Sequence, residues 1–179
     1  MENNEENAIP KLEQLLTTEE IKKSNNISKI TDKIYLGDEE GAIDYEFLKT
    51  EGIHYVLSII PNPPKYPDDM NINLMHLDIE DCLTININYY IKKSIEFIEK
   101  ADKIYVHCSC GVNRSPAIII GYLMWKTHSN YEEVFDYVQK RRDCIELNNL
   151  FIIQLHKFQK ILKSNGYNLE KIEVNPKIK

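Results

Sequence analysis

The sequence lacks the features that mark a secreted or membrane-embedded chain. Its first seven residues are acidic and rich in Asn, so they do not resemble the hydrophobic part of a signal peptide. No apolar run approaches the ~20 residues that a membrane-spanning helix needs. Residue 2 is Glu rather than the Gly of an N-myristoylation motif. We therefore expect no membrane span and a cytoplasmic location, with the nucleus left open as a second compartment.

Positive charge and cysteine are both scarce. Lys and Arg number 22 against 28 Asp and Glu, which gives a formal net charge of −6. Nucleic-acid binding depends on an excess of Lys and Arg, so we expect no nucleic-acid partner. The four cysteines, Cys82, Cys108, Cys110 and Cys144, lack the spacing of a structural zinc site. We expect reduced thiols, no metal site and no cofactor.

The chain does contain an alternation of β-rich and helical segments. Strands are predicted at 34–37, 53–60, 72–77 and 103–106, and helices at 44–50, 86–100 and 117–125. Ser129 and Glu132 resemble a capping box before a further helix, and an apolar stripe from Leu147 to Leu162 marks the last one. This order predicts a single α/β domain with a mostly parallel or mixed central sheet of about five strands, flanked by helices.

The predicted domain covers residues 28–163, between a polar N-terminal extension at 1–27 and a C-terminal tail at 164–179. The extension has one apolar stripe, formed by Ile9, Leu12, Leu15 and Leu16. We interpret this stripe as a segment that packs on its own domain or is disordered. A helix that docks on a partner is the alternative.

The run from His107 to Ser115 has the composition of a phosphate-binding loop. A predicted strand leads into Cys108, five residues separate it from Arg114, and a predicted apolar helix follows. Backbone N–H groups in such a turn can surround an anion, and the helix N-terminus adds partial positive charge. We expect these residues to bind a phosphoryl group: Ser109, Cys110, Gly111, Val112, Asn113 and Arg114.

Cys108 is the predicted nucleophile. A free thiol titrates near ~8.5, but the pKa falls to roughly 3.5–7.5 at a helix N-terminus or beside a cation. A thiolate beneath a bound phosphoryl group can attack phosphorus and form a phosphocysteine intermediate. Arg114 offers a planar guanidinium that can bind two phosphoryl oxygens at once.

These residues carry a family resemblance. The run fits the H-C-x5-R-S signature of cysteine-dependent tyrosine and dual-specificity phosphatases, and the chain resembles the dual-specificity family over roughly 28–163. Residues 30–37 are similar to the family's opening strand and 117–124 to its helix after the loop. The closing R-P-x-x-x-P-N-x-x-F-x-x-Q-L pattern is matched at Arg142, Asn148, Phe151, Gln154 and Leu155, with Asp143 and Leu147 in place of its prolines. The resemblance implies the cysteine-phosphatase fold and a small atypical member without a kinase-docking domain.

The resemblance also implies a general acid upstream of the loop, which protonates the leaving oxygen. In the family this acid lies fourteen residues before the first apolar residue of an I-x-F-I helix end. Ile95 begins such an end here, and counting back gives Asp81. Asp78 is the alternative, and a merely solvated acidic turn is the interpretation without function.

Two further residues are candidates through the resemblance. Ser115 matches the family's serine, whose hydroxyl stabilises the departing thiolate, although it could also cap the next helix. His107 matches the histidine that hydrogen-bonds near the cysteine and helps to lower its pKa, although it could be an ordinary buried histidine. Cys82 or Cys110 could trap an oxidised Cys108, but ordinary thiols are the simpler interpretation.

Three functions remain open at this point. The leading one is a protein phosphatase that acts on phosphotyrosine and on phosphoserine or phosphothreonine, with a phosphorylated protein as partner. The second is a phosphoinositide or RNA 5′-triphosphate phosphatase of the same fold. The variable loop positions carry no lysine, which favours the first. The third is a pseudophosphatase that binds phosphopeptides, which the presence of Cys108 disfavours. The oligomeric state is left open.

Overall fold

A central sheet organises the part of the chain that the computed structural model describes, which is residues 9–15, 26–79 and 85–177. Its strands are β1 (Ile27–Lys29), β2 (Ile34–Gly37), β3 (Tyr55–Ser58), β4 (Asn73–His76) and β5 (Ile104–His107), in the order β1-β2-β5-β3-β4. Only β1 is antiparallel to its neighbour, and the remaining pairs are parallel. The predicted mostly parallel, mixed sheet of about five strands is confirmed.

Helices cover both faces of this sheet. The α-helices of the described residues are α1 (Glu39–Ala42), α2 (Tyr45–Glu51), α3 (Ile87–Lys100), α4 (Arg114–Thr127), α5 (Tyr131–Arg141) and α6 (Asn149–Ser164). Short 3-10 helices lie at Leu12–Leu15, Asp68–Met70 and Leu169–Lys171. No helix in these described ranges is long and apolar enough to cross a membrane.

The central strand β5 joins two apolar cores because successive side chains of a strand point to opposite faces. Ile104 and Val106 belong to the larger core, which includes buried residues of α3 to α6. Tyr105 belongs to the smaller core with residues of α1 and α2, such as Ala42 and Leu48. All four residues of β5 are buried, so the carboxyl end of this strand lies between the helices that cover the two faces of the sheet.

Several predicted boundaries need correction. Strand β3 is shorter than the predicted 53–60, because Ile53 bonds back to Leu48 after the helix cap and the strand ends before the proline-rich loop. Helix α4 begins at Arg114 rather than at 117, which places Ser115 inside the helix, and Asn113 is the N-cap instead. Pro116 fits in this first turn because its missing N–H needs no helical partner.

The capping box lies one residue later than predicted. It is formed by Asn130 and Glu133, whose side chains accept from each other's backbone N–H, instead of Ser129 and Glu132. The shift follows from the end of α4, where His128 adopts a left-handed conformation and delays the next helix. Strand β1 and helix α1 were not predicted, since three or four residues are too few to show a period.

Segments outside the predicted domain contribute to its core. Leu12 is 6% exposed and Leu15 packs partly against the larger core, whereas Ile9 is exposed. Leu16 lies outside the described residues. Near the other end, Ile172 is 1% exposed and belongs to the same core.

Helices α3 and α4 pack closely at Gly121. A Cβ atom added to Gly121 would lie 2.4 Å from Cδ1 of Ile91. Real Cβ atoms do not approach other atoms so closely, so the spacing of these helices depends on the missing side chain.

Overpacking usually costs about 1–3 kcal/mol, and Ala gains about 1 kcal/mol over Gly in a helix interior. We therefore expect Gly121→Ala to lower the free energy of unfolding by a net amount of up to about 2 kcal/mol. Denaturant unfolding measures it. Because Ile91→Val removes Cδ1, the nearest of three Ile91 atoms that the added Cβ would meet, the double variant should lose less than the sum of the single changes. A stabilised Gly121→Ala protein would contradict this packing.

Candidate active site

The loop that follows β5 lies at the carboxyl edge of the sheet. Strand β5 is hydrogen-bonded to β2 on one side and to β3 on the other, and all three run parallel. The strand ends at His107, the loop takes up 108–113, and α4 begins at Arg114. This topology brings Cys108 and the N-terminus of α4 to the same point, as the sequence predicted.

Gly111 gives this loop its tight turn. Its φ angle is +65°, in the left-handed region that side chains disfavour. A Cβ atom there would lie 2.5 Å from the carbonyl oxygen of Gly37 and 2.7 Å from Nη2 of Arg142. Both the conformation and the space therefore require glycine.

The carbonyl oxygens of the loop are held by groups that surround it. The buried guanidinium of Arg142 donates from Nε to Gly111 O at 2.9 Å and from Nη2 to Cys110 O at 3.2 Å. Two backbone N–H groups hold the carbonyls on either side: Glu39 donates to Ser109 O, and Glu146 donates to Val112 O.

The N–H groups of Gly111 and Ser115 instead hydrogen-bond to the sulfur of Cys108. With four consecutive carbonyls engaged elsewhere, donors dominate the surroundings of the sulfur. Such an arrangement favours a negative charge, whether on the sulfur or on a bound anion.

Cys108 is 2% exposed, and Ser115 Oγ donates to its Sγ at 3.2 Å. Burial raises the pKa of this thiol, but four effects together outweigh burial. They are the Ser115 hydroxyl, the Ser115 N–H, the positive charge of Arg114 and the Gly111 N–H. The pKa of Cys108 is therefore lowered, and the thiolate persists to lower pH than in an ordinary cysteine.

Arg114 is 8% exposed and reaches two neighbours of the loop. Nη1 donates to the carbonyl oxygen of Ile79 at 2.9 Å, and Nη2 donates to Ser109 Oγ at 3.0 Å. Its Nε is buried without a hydrogen-bond partner among the described residues. An unsatisfied buried donor costs about 1–3 kcal/mol, so the Nε edge of the guanidinium is a natural position for an anion.

His107 is fully buried, and its ring stacks on Tyr105 with centroids 5.7 Å apart. Burial lowers the pKa of His107 to about 4, although a bond to Cys108 O opposes this effect. The ring is therefore neutral near pH 7, and Nδ1 donates to Cys108 O at 3.3 Å. Its contact is with the backbone of Cys108 rather than with the sulfur, so it orients the residue without a positive charge.

The other predicted residues divide into those near the loop and those outside the described ranges. Asn113 Oδ1 accepts from Asn148 N at 3.0 Å, which ties the loop to the start of α6. Asp78 is exposed and precedes Ile79, the partner of Arg114. Asp81 and Cys82 lie in residues 80–84, which the structure does not describe. Cys110 is an exposed free thiol on the loop.

Arg142 and the start of α1 are the elements that sequence reasoning missed. Arg142 entered only as part of a closing motif, and nothing in its local sequence indicated that it holds the loop's carbonyls. The contact from Glu39 arises from a helix of four residues, too short to predict. Across the ranges 9–15, 26–79 and 85–177, no group of His, Cys, Asp and Glu could hold a metal ion.

Comparison with known proteins shows that most of the chain matches the family that its sequence resembles. A family model described as "Dual specificity phosphatase, catalytic domain" matches residues 34–161. MAP kinase phosphatase with leucine-rich repeats protein 1 of Dictyostelium discoideum is 35% identical over 136 residues, which cover 74% of this chain and 16% of that protein. Human dual specificity protein phosphatase 9 is 30% identical over 140 residues, 75% of this chain and 36% of that protein.

The chain thus spans well under two thirds of the length of these relatives. A crystal structure of DUSP15 superposes with a TM-score of 0.74 at 24% identity, over 84% of this chain and 99% of that one. This likeness concerns the fold.

We expect alkylation of Cys108 by iodoacetamide to follow a pH profile with a midpoint below the ~8.5 of a free thiol. Because its pKa is lowered, the rate should stay high as the pH falls and drop only below that midpoint. Ser115→Ala removes a donor to the sulfur and should move the midpoint upward. The experiment uses a Cys110→Ser background, so that mass spectrometry follows the alkylation of Cys108 without that of the second loop thiol.

Ser94→Ala serves as the matched control for this experiment, because its hydroxyl is bonded within α3, to Tyr90 O. It should leave the midpoint unchanged. An unchanged midpoint in Ser115→Ala would show that the hydroxyl does not stabilise the thiolate.

Proposed function

The chain belongs to the dual specificity phosphatase family, and on this premise we propose that it is a protein phosphatase. It hydrolyses phosphotyrosine and phosphoserine or phosphothreonine through a phosphocysteine intermediate at Cys108. The observation that carries this proposal is the sulfur of Cys108, held by donors from Ser115 and Gly111 beneath the start of α4. A buried thiol with a lowered pKa in an anion-binding loop is suited to nucleophilic attack.

In the first step, the thiolate of Cys108 attacks phosphorus, the S–P bond forms and the P–O bond to the leaving group breaks. The Nε–Nη2 edge of Arg114 binds two phosphoryl oxygens, while Nη1 can keep its bond to Ile79 O. The leaving oxygen takes a proton from Asp81, which family spacing favours over Asp78 as the general acid.

In the second step, water attacks the phosphocysteine and gives a proton to the carboxylate of Asp81. The S–P bond breaks, inorganic phosphate is released and the electron pair returns to the sulfur of Cys108. Ser115 Oγ, 3.2 Å from this sulfur, donates to the thiolate as it leaves. His107 keeps the backbone of Cys108 in place during both steps through its bond to the carbonyl oxygen.

The charges around the loop favour phosphoproteins over polyanionic substrates. Glu39 and Glu146 are exposed, and the backbone N–H of each is bonded to the loop. Asp78 is exposed beside the residue that Arg114 contacts. Carboxylates in these places repel the additional phosphates of a phosphoinositide or an RNA 5′-triphosphate. A single phosphoryl group on a protein avoids most of this repulsion.

The function is tested by hydrolysis of an aryl phosphate and of phosphotyrosine and phosphothreonine peptides, in the presence of a chelator. We expect Cys108→Ser to abolish activity on all three, because the nucleophile is lost. Asp81→Asn should lower kcat by roughly 10²–10⁴-fold on phosphothreonine peptide. Its effect on a nitro-substituted aryl phosphate should be much smaller, since that leaving group needs no proton.

Asp78→Asn is the matched control for the acid and should retain most of the activity. If Asp78→Asn shows the large loss instead, the general acid is Asp78. Full activity of Cys108→Ser would end the phosphatase mechanism at this site. A wild-type protein that binds phosphopeptides but hydrolyses none of the substrates would favour the pseudophosphatase.

We expect Glu39→Lys combined with Glu146→Lys to raise kcat/KM on a phosphoinositide relative to a phosphopeptide. A shift of roughly tenfold matches a few surface charge interactions of up to about 1 kcal/mol each. The shift should shrink as salt is added, because these charges are exposed. Glu96→Lys with Asp136→Lys makes the same charge change on exposed positions of α3 and α5 and should have no such effect. Equal shifts in both pairs would contradict a role for the charges beside the loop.

A further inference from the structure

The chain returns from α6 to lie against the beginning of α3. We call residues 172–177 the C-terminal strap. Ile172 is 1% exposed and sits in the larger core, with Val174 packed partly against it. Lys92 Nζ donates to the carbonyl oxygen of Ile172 at 2.5 Å. The strap is therefore fixed to the domain by burial at its start and by a charged donor from α3.

The other end of the strap is bonded to the residues that enter α3. Asn86 donates from its backbone N to Pro176 O at 3.1 Å and from Nδ2 to Asn175 O at 2.8 Å. Ile85 and Lys177 form an isolated antiparallel β-bridge. The strap thus makes one backbone and one side-chain hydrogen bond to Asn86, and the backbone bond belongs to the pairing of Ile85 with Lys177.

Ile85 directly follows residues 80–84, which include Asp81. Gln154 also holds this point, because its Nε2 donates to Ile85 O at 3.0 Å and its Oε1 accepts from Ile87 N at 2.7 Å. On the upstream side, Arg114 holds the carbonyl oxygen of Ile79. The chain is therefore fixed immediately before and immediately after the five residues that carry the proposed acid.

We propose that the C-terminal strap positions the general acid by fixing the chain at Ile85 and Asn86. This inference rests on the proposed function, because it assigns a role to the strap only through Asp81. Proton transfer requires the acid to lie within hydrogen-bond reach of the leaving oxygen. If the downstream end of so short a segment is released, its carboxyl group spends less time in that position, and small misplacements can cost up to about 10²-fold in rate.

Two substitutions loosen the strap without removing the elements it contacts. Asn86→Ser keeps a good helix cap, which Asn86 now provides to Asn88 N, but the shorter side chain cannot reach Asn175 O. Lys92→Met removes the donor to Ile172 O and retains the apolar stem. Lys93→Met makes the same charge change at the next, exposed residue of α3 and is the matched control.

We expect Asn86→Ser/Lys92→Met to lower kcat on a phosphothreonine peptide by roughly tenfold, which is only part of the roughly 10²–10⁴-fold that a general acid contributes. On a nitro-substituted aryl phosphate the loss should be less than about twofold, because this step needs little acid catalysis. In an Asp81→Asn background, the strap substitutions should have no further effect on the peptide. Lys93→Met should behave as wild type on both substrates.

Equal losses on the two substrates, or full additivity with Asp81→Asn, would overturn the proposal and show that the strap only stabilises the fold. If the double variant unfolds, the single variants Asn86→Ser and Lys92→Met are used instead. Each should lower kcat more on the phosphothreonine peptide than on the aryl phosphate. Failure of the proposed function looks different, since wild type and Cys108→Ser would then be equally inactive on every substrate, and the strap's role would fall with it.

Discussion

The site depends on where the carbonyl oxygens of one short loop point. A turn that surrounds an anion must keep its N–H groups around the anion and its carbonyl groups away from it, because carbonyl oxygens repel negative charge. Here Arg142 holds the carbonyls of Cys110 and Gly111, and backbone N–H groups from α1 and from the segment before α6 hold two others. With these oxygens engaged, the donors left in the loop surround the sulfur of Cys108. The Gly111 N–H is one of these donors, and it lowers the pKa of Cys108 together with the Ser115 hydroxyl, the Ser115 N–H and the positive charge of Arg114.

The same constraint explains why distant parts of the fold meet here. Arg142 follows α5, Asn148 caps α6, and Gly37 ends β2, yet each contacts the loop or limits its path. Position 111 must be glycine because a larger residue would meet both Gly37 and Arg142. The scaffold therefore contributes to the electrostatics of the site through contacts that involve no reacting atom.

The long elements could be predicted from sequence because their periods are strong. The isoleucines of α3 recur at helical spacing and are buried as expected, and the strand that ends at His107 leads into the loop. The short elements β1 and α1 could not be predicted, because their form depends on partners across the sheet. Among the predicted site residues, Cys108 and Arg114 were indicated by their five-residue spacing together with the strand before the loop and the apolar helix after it. The contacts of Arg142, the neutral state of His107 and the strap required the fold, because burial and long-range contacts decide them.

The pairing of β5 has a consequence for the chain during synthesis. Ile104 pairs with Ile34 and Tyr55, so the central strand joins the sheet only through partners far away in sequence. Such contacts form late, because long stretches of chain must be ordered first. Arg142 and Glu39, which hold carbonyl oxygens of the loop after β5, are likewise distant from it in sequence. The loop therefore takes this form only after segments from both halves of the domain have folded, and the surroundings of the Cys108 sulfur are complete only then.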